Sequence, residues 1–130
     1  MQIHHAGYIV HDAEDTSLFQ EKLHRIASVF DPLQEATICL YRNQHDGLIE
    51  LIQPLNEKSP VWNFLQKNGS RFHHHCYQGK RNEIEKYIAD NQLTKIMGPL
   101  TAKIFDPSQV EFYIDKNSNI TEFIFQHRQL

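Results

Sequence analysis

The sequence predicts an α+β fold built from two tandem modules, each running strand, helix, strand, strand, strand. Three observations predict it. First, "IHHAGY" at 3–8 and "FHHHCY" at 72–77 share an apolar residue, a histidine run and a tyrosine. Second, "LIEL" at 48–51 and "ITEF" at 120–123 each place a glutamate inside the last apolar run of a half. Third, His74 lies 69 positions after His5, and Glu122 lies 72 after Glu50, a drift that one small loop insertion absorbs. Self-similarity at a nearly fixed offset is the mark of a duplicated unit and outranks any single-element reading.

The elements follow in chain order. Residues 2–10 alternate apolar and polar and read as a strand that stops at "HDAED";. Asp12 then opens an expected helix over 13–26, because Leu18, Phe19, Leu23 and Ile26 recur at helical spacing. "ASVFDP" is a short strand ended by Pro32, and "ATICLYR" at 36–42 is a strand rich in β-formers;. "NQHDG" at 43–47 is a turn, and "LIELIQ" at 48–53 is the returning strand;. Ser59 followed by Pro60 reads as a helix N-cap with proline at the first helical position. That linking helix spans 59–68, with Val61, Phe64 and Leu65 on one face and Asn68-Gly69 ending it. In the second half "FHHHCYQ" is a strand, and 82–91 is a helix burying Ile84, Tyr87 and Ile88. "KIMGPL" is a weak strand, while "VEFYID" at 110–115 and "ITEFIF" at 120–125 form a hairpin. No linker rich in Gly, Ser or Pro separates the halves. The expectation is a single domain over 1–130, with module one at 1–55 and module two at 70–130.

A chain of 130 residues with 40% apolar residues and a formal charge of −3 is long enough for a sizeable core and is neither disordered nor fibrous;. It carries no basic excess to neutralise phosphates, so nucleic acid is not an expected partner. No apolar run is long enough to span a bilayer, so no membrane partner is expected. The first residues lack the charged and apolar regions of a signal peptide. Cys39 and Cys76 sit in apolar strands and read as reduced core thiols, which fits a cytoplasmic protein. Of the nine histidines, His11, His24, His45 and His127 fall in helix, turn or tail segments without a partner pattern and read as surface residues;.

Strand side chains alternate faces, so the histidine runs are not clusters. His74 faces one way, and His73 and His75 the other. His4 and His5 likewise diverge. Aligning the repeats pairs His5 with His74 and Glu50 with Glu122. A lone strand histidine is ordinarily a packed residue, and a glutamate in an apolar strand ordinarily points to solvent. Four such residues at repeat-equivalent places outweigh that ordinary reading. Two imidazoles and two carboxylates make a donor set for a borderline or hard divalent ion such as zinc, nickel, cobalt, manganese or ferrous iron. With no thiolate in the set, a closed structural zinc site does not fit, and an open, catalytic coordination does.

These residues resemble a known family. "LIELIQPLNEKSPVWNFLQKNGSRFHHHCY" at 48–77 is similar to a segment of the methylmalonyl-CoA epimerase-like branch of the vicinal oxygen chelate (glyoxalase/bleomycin resistance/dioxygenase) superfamily. "IHHAGYIVHD" and "ITEFIFQ" are similar to the superfamily's first and last strands. The resemblance implies an open, cupped mixed sheet around one metal ion, held by His5, Glu50, His74 and Glu122, usually in a homodimer. It implies an isomerase that removes the proton α to a carbonyl of a small-molecule substrate such as an acyl-CoA. Glu122 is then the proton-moving catalytic residue, with Glu111 or Glu35 as a second base, although the ordinary reading of Glu111 is a solvent-facing strand residue. The same fold admits other readings: a glyoxalase I-like lactoylglutathione lyase, a ferrous dioxygenase, or a small-ligand binder without turnover. Two departures from the family stand out. Gly79-Lys80-Arg81 is basic where an acidic pair is usual; it reads as a solvated turn or, functionally, as an edge receiving a CoA phosphate. "DKNSNITEF" lacks the glycine common before the last strand.

Overall fold

The structure is a computed structural model and describes residues 1–105 and 109–126. The chain divides into two compact units, residues 5–73 and residues 74–130 with 1–4. His127 lies outside the described residues.

The unit of residues 5–73 is a four-stranded sheet in the order β2-β3-β4-β1. Its strands are β1 (Gln2–Ile9), β2 (His24–Asp31), β3 (Ala36–Arg42) and β4 (Leu48–Pro54). β1 runs parallel to β4 with Gly7 opposite Glu50, and β4 runs antiparallel to β3 with Leu40 opposite Glu50. The β3–β4 turn is held by the Asn43 carboxamide oxygen, which accepts from the backbone N–H groups of His45 and Gly47. This is the expected turn at 43–47.

The helix expected over 13–26 does not form. The segment after β1 is irregular, and His24 already begins β2. The side chains of Asp12 and Asp15 accept from the N–H groups of Glu14 and Ser17, each at 2.9 Å. These local turns satisfy backbone donors that a helix would otherwise use. Leu18 and Ile26 are about half exposed, so the spacing that suggested an apolar face does not correspond to one. Phe19 and Leu23 still pack, with Ala13, against Cys39, Tyr41, Ile49 and Leu51. The Tyr41 hydroxyl donates to the Ala13 carbonyl at 2.7 Å, and the Gln53 side chain accepts from Ala13 N at 2.9 Å. An irregular strap covers the sheet face that a helix was expected to cover.

Helix α1 (Trp62–Asn68) follows β4. It starts later than the expected 59, because Ser59 is buried and shapes a turn instead of capping. Its hydroxyl accepts from Val61 N at 3.4 Å and its carbonyl from Trp62 N at 3.1 Å. Gly69, at φ 69°, ends the helix as expected;.

The second unit repeats the topology, in the order β5-β8-β7-β6. It contains β5 (Arg71–Gly79), α2 (Arg81–Asp90), β6 (Thr94–Thr101), a short 3₁₀ turn at 103–105, β7 (Gln109–Ile114) and β8 (Ile120–Phe125). β5 runs parallel to β8 with Cys76 opposite Glu122, and β8 antiparallel to β7 with Phe112 opposite Glu122. α2 buries Ile84, with Tyr87 and Ile88 partly buried, against Tyr113, Phe123 and Phe125 on one face of this sheet. The opposite face carries Cys76, Val110, Phe112 and Ile124. β6 is the weak strand the sequence predicts: its pairing to β7 slips twice, and Gly98 sits in the slipped stretch. A Cβ there would lie 2.6 Å from the Val110 carbonyl oxygen, at φ +108°, so glycine is required for the close approach;.

Candidate functional site

The duplication is visible in the register. In the first unit Glu50 stands opposite Gly7, two residues after His5 on the neighbouring parallel strand. In the second, Glu122 stands opposite Cys76, two residues after His74. Because faces alternate every residue, each histidine shares a sheet face with its glutamate. The His5 Nε2 lies 3.3 Å from Glu50 Oε1, and the His74 Nε2 lies 3.1 Å from Glu122 Oε1. All four residues are buried, at 2%, 3%, 0% and 3% exposure for His5, Glu50, His74 and Glu122. Buried carboxylates are rare unless paired or bound to a cation, which separates these from ordinary strand residues.

The neighbouring histidines behave as strand parity predicts. His73 is half-buried and meets the Phe64 ring edge-on at 4.8 Å, while His75 is exposed. His4 is half-buried with its ring edge-on to Phe105 at 4.9 Å. His11, His24 and His45 are exposed. Cys39 and Cys76 are both buried, and neither forms a disulfide among the described residues.

Neither proposed second base reaches this geometry. Glu111 is buried and does not face solvent as its ordinary reading had it. It stands opposite Phe123, one residue out of phase with Glu122, so it shares the α2-covered face of the sheet with Tyr113. There it accepts a hydrogen bond from the Tyr113 hydroxyl at 2.7 Å and lies 3.4 Å from Lys95 Nζ. Its parity was hidden in the sequence because it depends on the hairpin register. Glu35 lies in the β2–β3 turn, before Ala36, which stands opposite Pro54. At about 3.3 Å per residue this places it roughly 13 Å or more along the strand from Glu50.

Burial and the bond to Glu111 push the Tyr113 hydroxyl up to about 12 from an ordinary 10.0. A folded-state value above the unfolded one means the unfolded chain releases its proton first as pH rises. Stability contributed by the neutral phenol is therefore complete below pH 10.0 and is lost between there and about 12;. Urea midpoints measured across this range should fall in the wild type and fall less in Tyr113→Phe. Equal slopes would contradict the assignment.

The basic turn at 79–81 is a helix cap. Lys80 is exposed and precedes α2, while its backbone N–H donates to the Glu83 carboxylate at 3.2 Å. Arg81 lies over the Phe125 ring at 4.2 Å and 3.9 Å from Glu85. The first turn of α2 thus already holds a carboxylate, which disfavours a phosphate there.

A tandem repeat that sets a buried imidazole beside a buried carboxylate at one register position, twice, defines a class: duplicated α+β modules with paired polar centres on their sheets. The chain belongs to the Glyoxalase/Bleomycin resistance protein/Dioxygenase superfamily, whose model matches residues 4–95. Its fold is glyoxalase-like, as the sequence predicts. A hypothetical protein from Bacillus halodurans is 26% identical, with a TM-score of 0.78 over 99% of this chain and 96% of that one. Methylmalonyl-CoA epimerase from Mycobacterium tuberculosis is 15% identical, with a TM-score of 0.79 over 98% of this chain and 89% of that one. A Streptomyces coelicolor methylmalonyl-CoA epimerase in complex with 2-nitronate-propionyl-CoA is 20% identical, with a TM-score of 0.77 over 98% and 99%. No curated relative matches the chain by sequence. Among the described residues no helix is long and apolar enough to cross a membrane.

Proposed function

We propose that the chain is a divalent-metal-dependent isomerase that removes the proton α to a carbonyl, with an acyl thioester of the methylmalonyl-CoA kind as substrate. The observation that carries this reading is the pair of buried His–Glu contacts at one register position in two modules. In this reading His5, Glu50, His74 and Glu122 form one donor set. Their chemistry fits a divalent ion: two imidazole nitrogens and two carboxylate oxygens, no thiolate, and a charge of two carboxylates to balance the cation. Zinc, nickel, cobalt and manganese all suit such a set. A divalent ion bound there supplies Lewis-acid stabilisation of the negative charge that develops on the substrate oxygen as the α proton leaves.

The chain's own residues supply the rest. Glu122 takes the α proton, its Oε1 lying 3.1 Å from the His74 Nε2 on the same sheet face;. Phe112, Val110 and Ile124 line the same face and keep water from that carboxylate;. Epimerisation also needs a proton delivered to the opposite face of the carbon. With Glu111 behind the sheet and Glu35 in a distant turn, Glu50 is the remaining carboxylate of the set for that transfer. Asp31, also buried, holds the β2–β3 turn through Leu33 N. The similarity to methylmalonyl-CoA epimerases and the superfamily membership support the same reaction class. A homodimer belongs to this reading as well.

In D2O, metal-loaded protein should exchange the α hydrogen of methylmalonyl-CoA for deuterium, seen by mass spectrometry. His74→Ala, loaded in parallel, should not. Exchange no faster than in that variant would overturn the substrate assignment, and lactoylglutathione formation from the glutathione hemithioacetal would replace it with the lyase reading.

A further inference from the structure

We infer that Phe112 is a positioning residue for the His74–Glu122 pair. The inference rests on the metal reading above for its consequence, and on packing alone for its cause. Phe112 stands directly opposite Glu122 in the β7–β8 ladder, and its ring meets the His74 ring edge-on, with centroids 5.4 Å apart and planes at 84°. It is itself 4% exposed, within the cluster of Cys76, Ala102, Val110 and Ile124. A T-shaped contact between two buried rings restricts rotation of the imidazole about its bond to Cβ. The ring plane sets where Nε2 points, so Phe112 fixes the direction of the nitrogen that faces Glu122 Oε1;.

The repeat supplies the internal comparison. The residue opposite Glu50 in the β3–β4 ladder is Leu40, buried but without a ring. The register position that holds the ring against His74 in the second module therefore holds a leucine in the first. Phe112→Leu gives the second module the first module's residue, which makes it the informative substitution. Orienting groups around a metal ligand typically change affinity by about 10–100-fold.

The experiment uses the whole chain, and zinc as the probe. Phe112→Leu should weaken zinc binding by about tenfold in competition with a chromophoric chelator, at the scale of outer-shell substitutions. In the metal-free protein, the His74 imidazole 15N and 1H signals should lose their ring-current shift and broaden. Phe125→Leu is the control for truncating an aromatic in the same sheet, because Phe125 lies on the α2-covered face. It should leave zinc affinity and the His74 signals unchanged. Affinity within twofold of wild type and unmoved His74 signals in Phe112→Leu would overturn the inference. So would equal losses in both variants, since that is what lowered stability alone produces. If the wild type binds no zinc, the metal reading fails, while the His74 signals of the metal-free protein still decide whether Phe112 orients the ring. Should Phe112→Leu not fold, Phe112→Met, of similar volume but with an unbranched side chain that adapts to the gap, is read in the same way.

Discussion

Alanine at His74 or at His5 is expected to remove bound divalent metal from the purified protein, with zinc affinity falling by more than a hundredfold. The loss should exceed the roughly 10–100-fold that outer-shell changes cause, because a donor atom itself disappears. Both side chains are wholly buried and each faces a buried carboxylate, so the donor that is lost is an interior one. His73→Ala and His75→Ala are the internal controls. His73 packs on Phe64 and His75 is exposed, so both should keep wild-type metal content by elemental analysis. Glu50→Gln and Glu122→Gln should lower metal content as well, since an amide oxygen carries no charge to offset the cation. Excess zinc should raise the wild-type unfolding midpoint, and should not raise that of His74→Ala. At free zinc a hundred times Kd the wild-type gain is about 2.7 kcal/mol. Four variants with unchanged metal content would remove the basis of the proposed function.

The second large effect is on stability. Phe123→Ala is expected to cost about 3–5 kcal/mol. Phe123 is 0% exposed and heads the fully buried side chains by volume. Its ring meets Tyr113 at 5.6 Å and Tyr87 at 5.8 Å, both edge-on, and Tyr77 at 6.5 Å. Truncation opens a void between α2 and the sheet that these tyrosines can only partly fill. Since small domains are stable by roughly 5–15 kcal/mol, this substitution removes a large share of the total. Equilibrium urea unfolding measures it, and a loss under about 1 kcal/mol would contradict the packing described. Phe123 follows Glu122 and so faces away from it. At temperatures where the variant is folded, its zinc affinity should therefore stay near wild type.

Much of the site is legible in the sequence because strand parity is local. Period-two alternation assigned His74, and not His73 or His75, to the face of interest, and the structure buries His74 alone of the three. The repeat paired His5 with His74 and Glu50 with Glu122, and the matching registers bear out that equivalence. Element boundaries of β3, β8 and the turn at 43–47 also follow from composition and turn chemistry. Two readings failed, each for its own reason. The helix expected over 13–26 rested on apolar spacing, which a strap can mimic when two aspartates redirect the backbone into local turns. Glu111 was read as a solvent-facing strand residue because its burial depends on what covers the far side of the sheet.

The sequence by itself determined the duplication, the strands and the face of each histidine. These follow from side-chain periodicity and from composition within a few residues of each position. Only the tertiary structure decided that a strap covers the first sheet where α2 covers the second, that Glu111 is bound to Tyr113, and that Phe112 lies against His74. The last two depend on which strand is the neighbour and at what register. Hydrogen bonding between residues distant in the chain sets that register, and a one-residue slip would exchange the two faces.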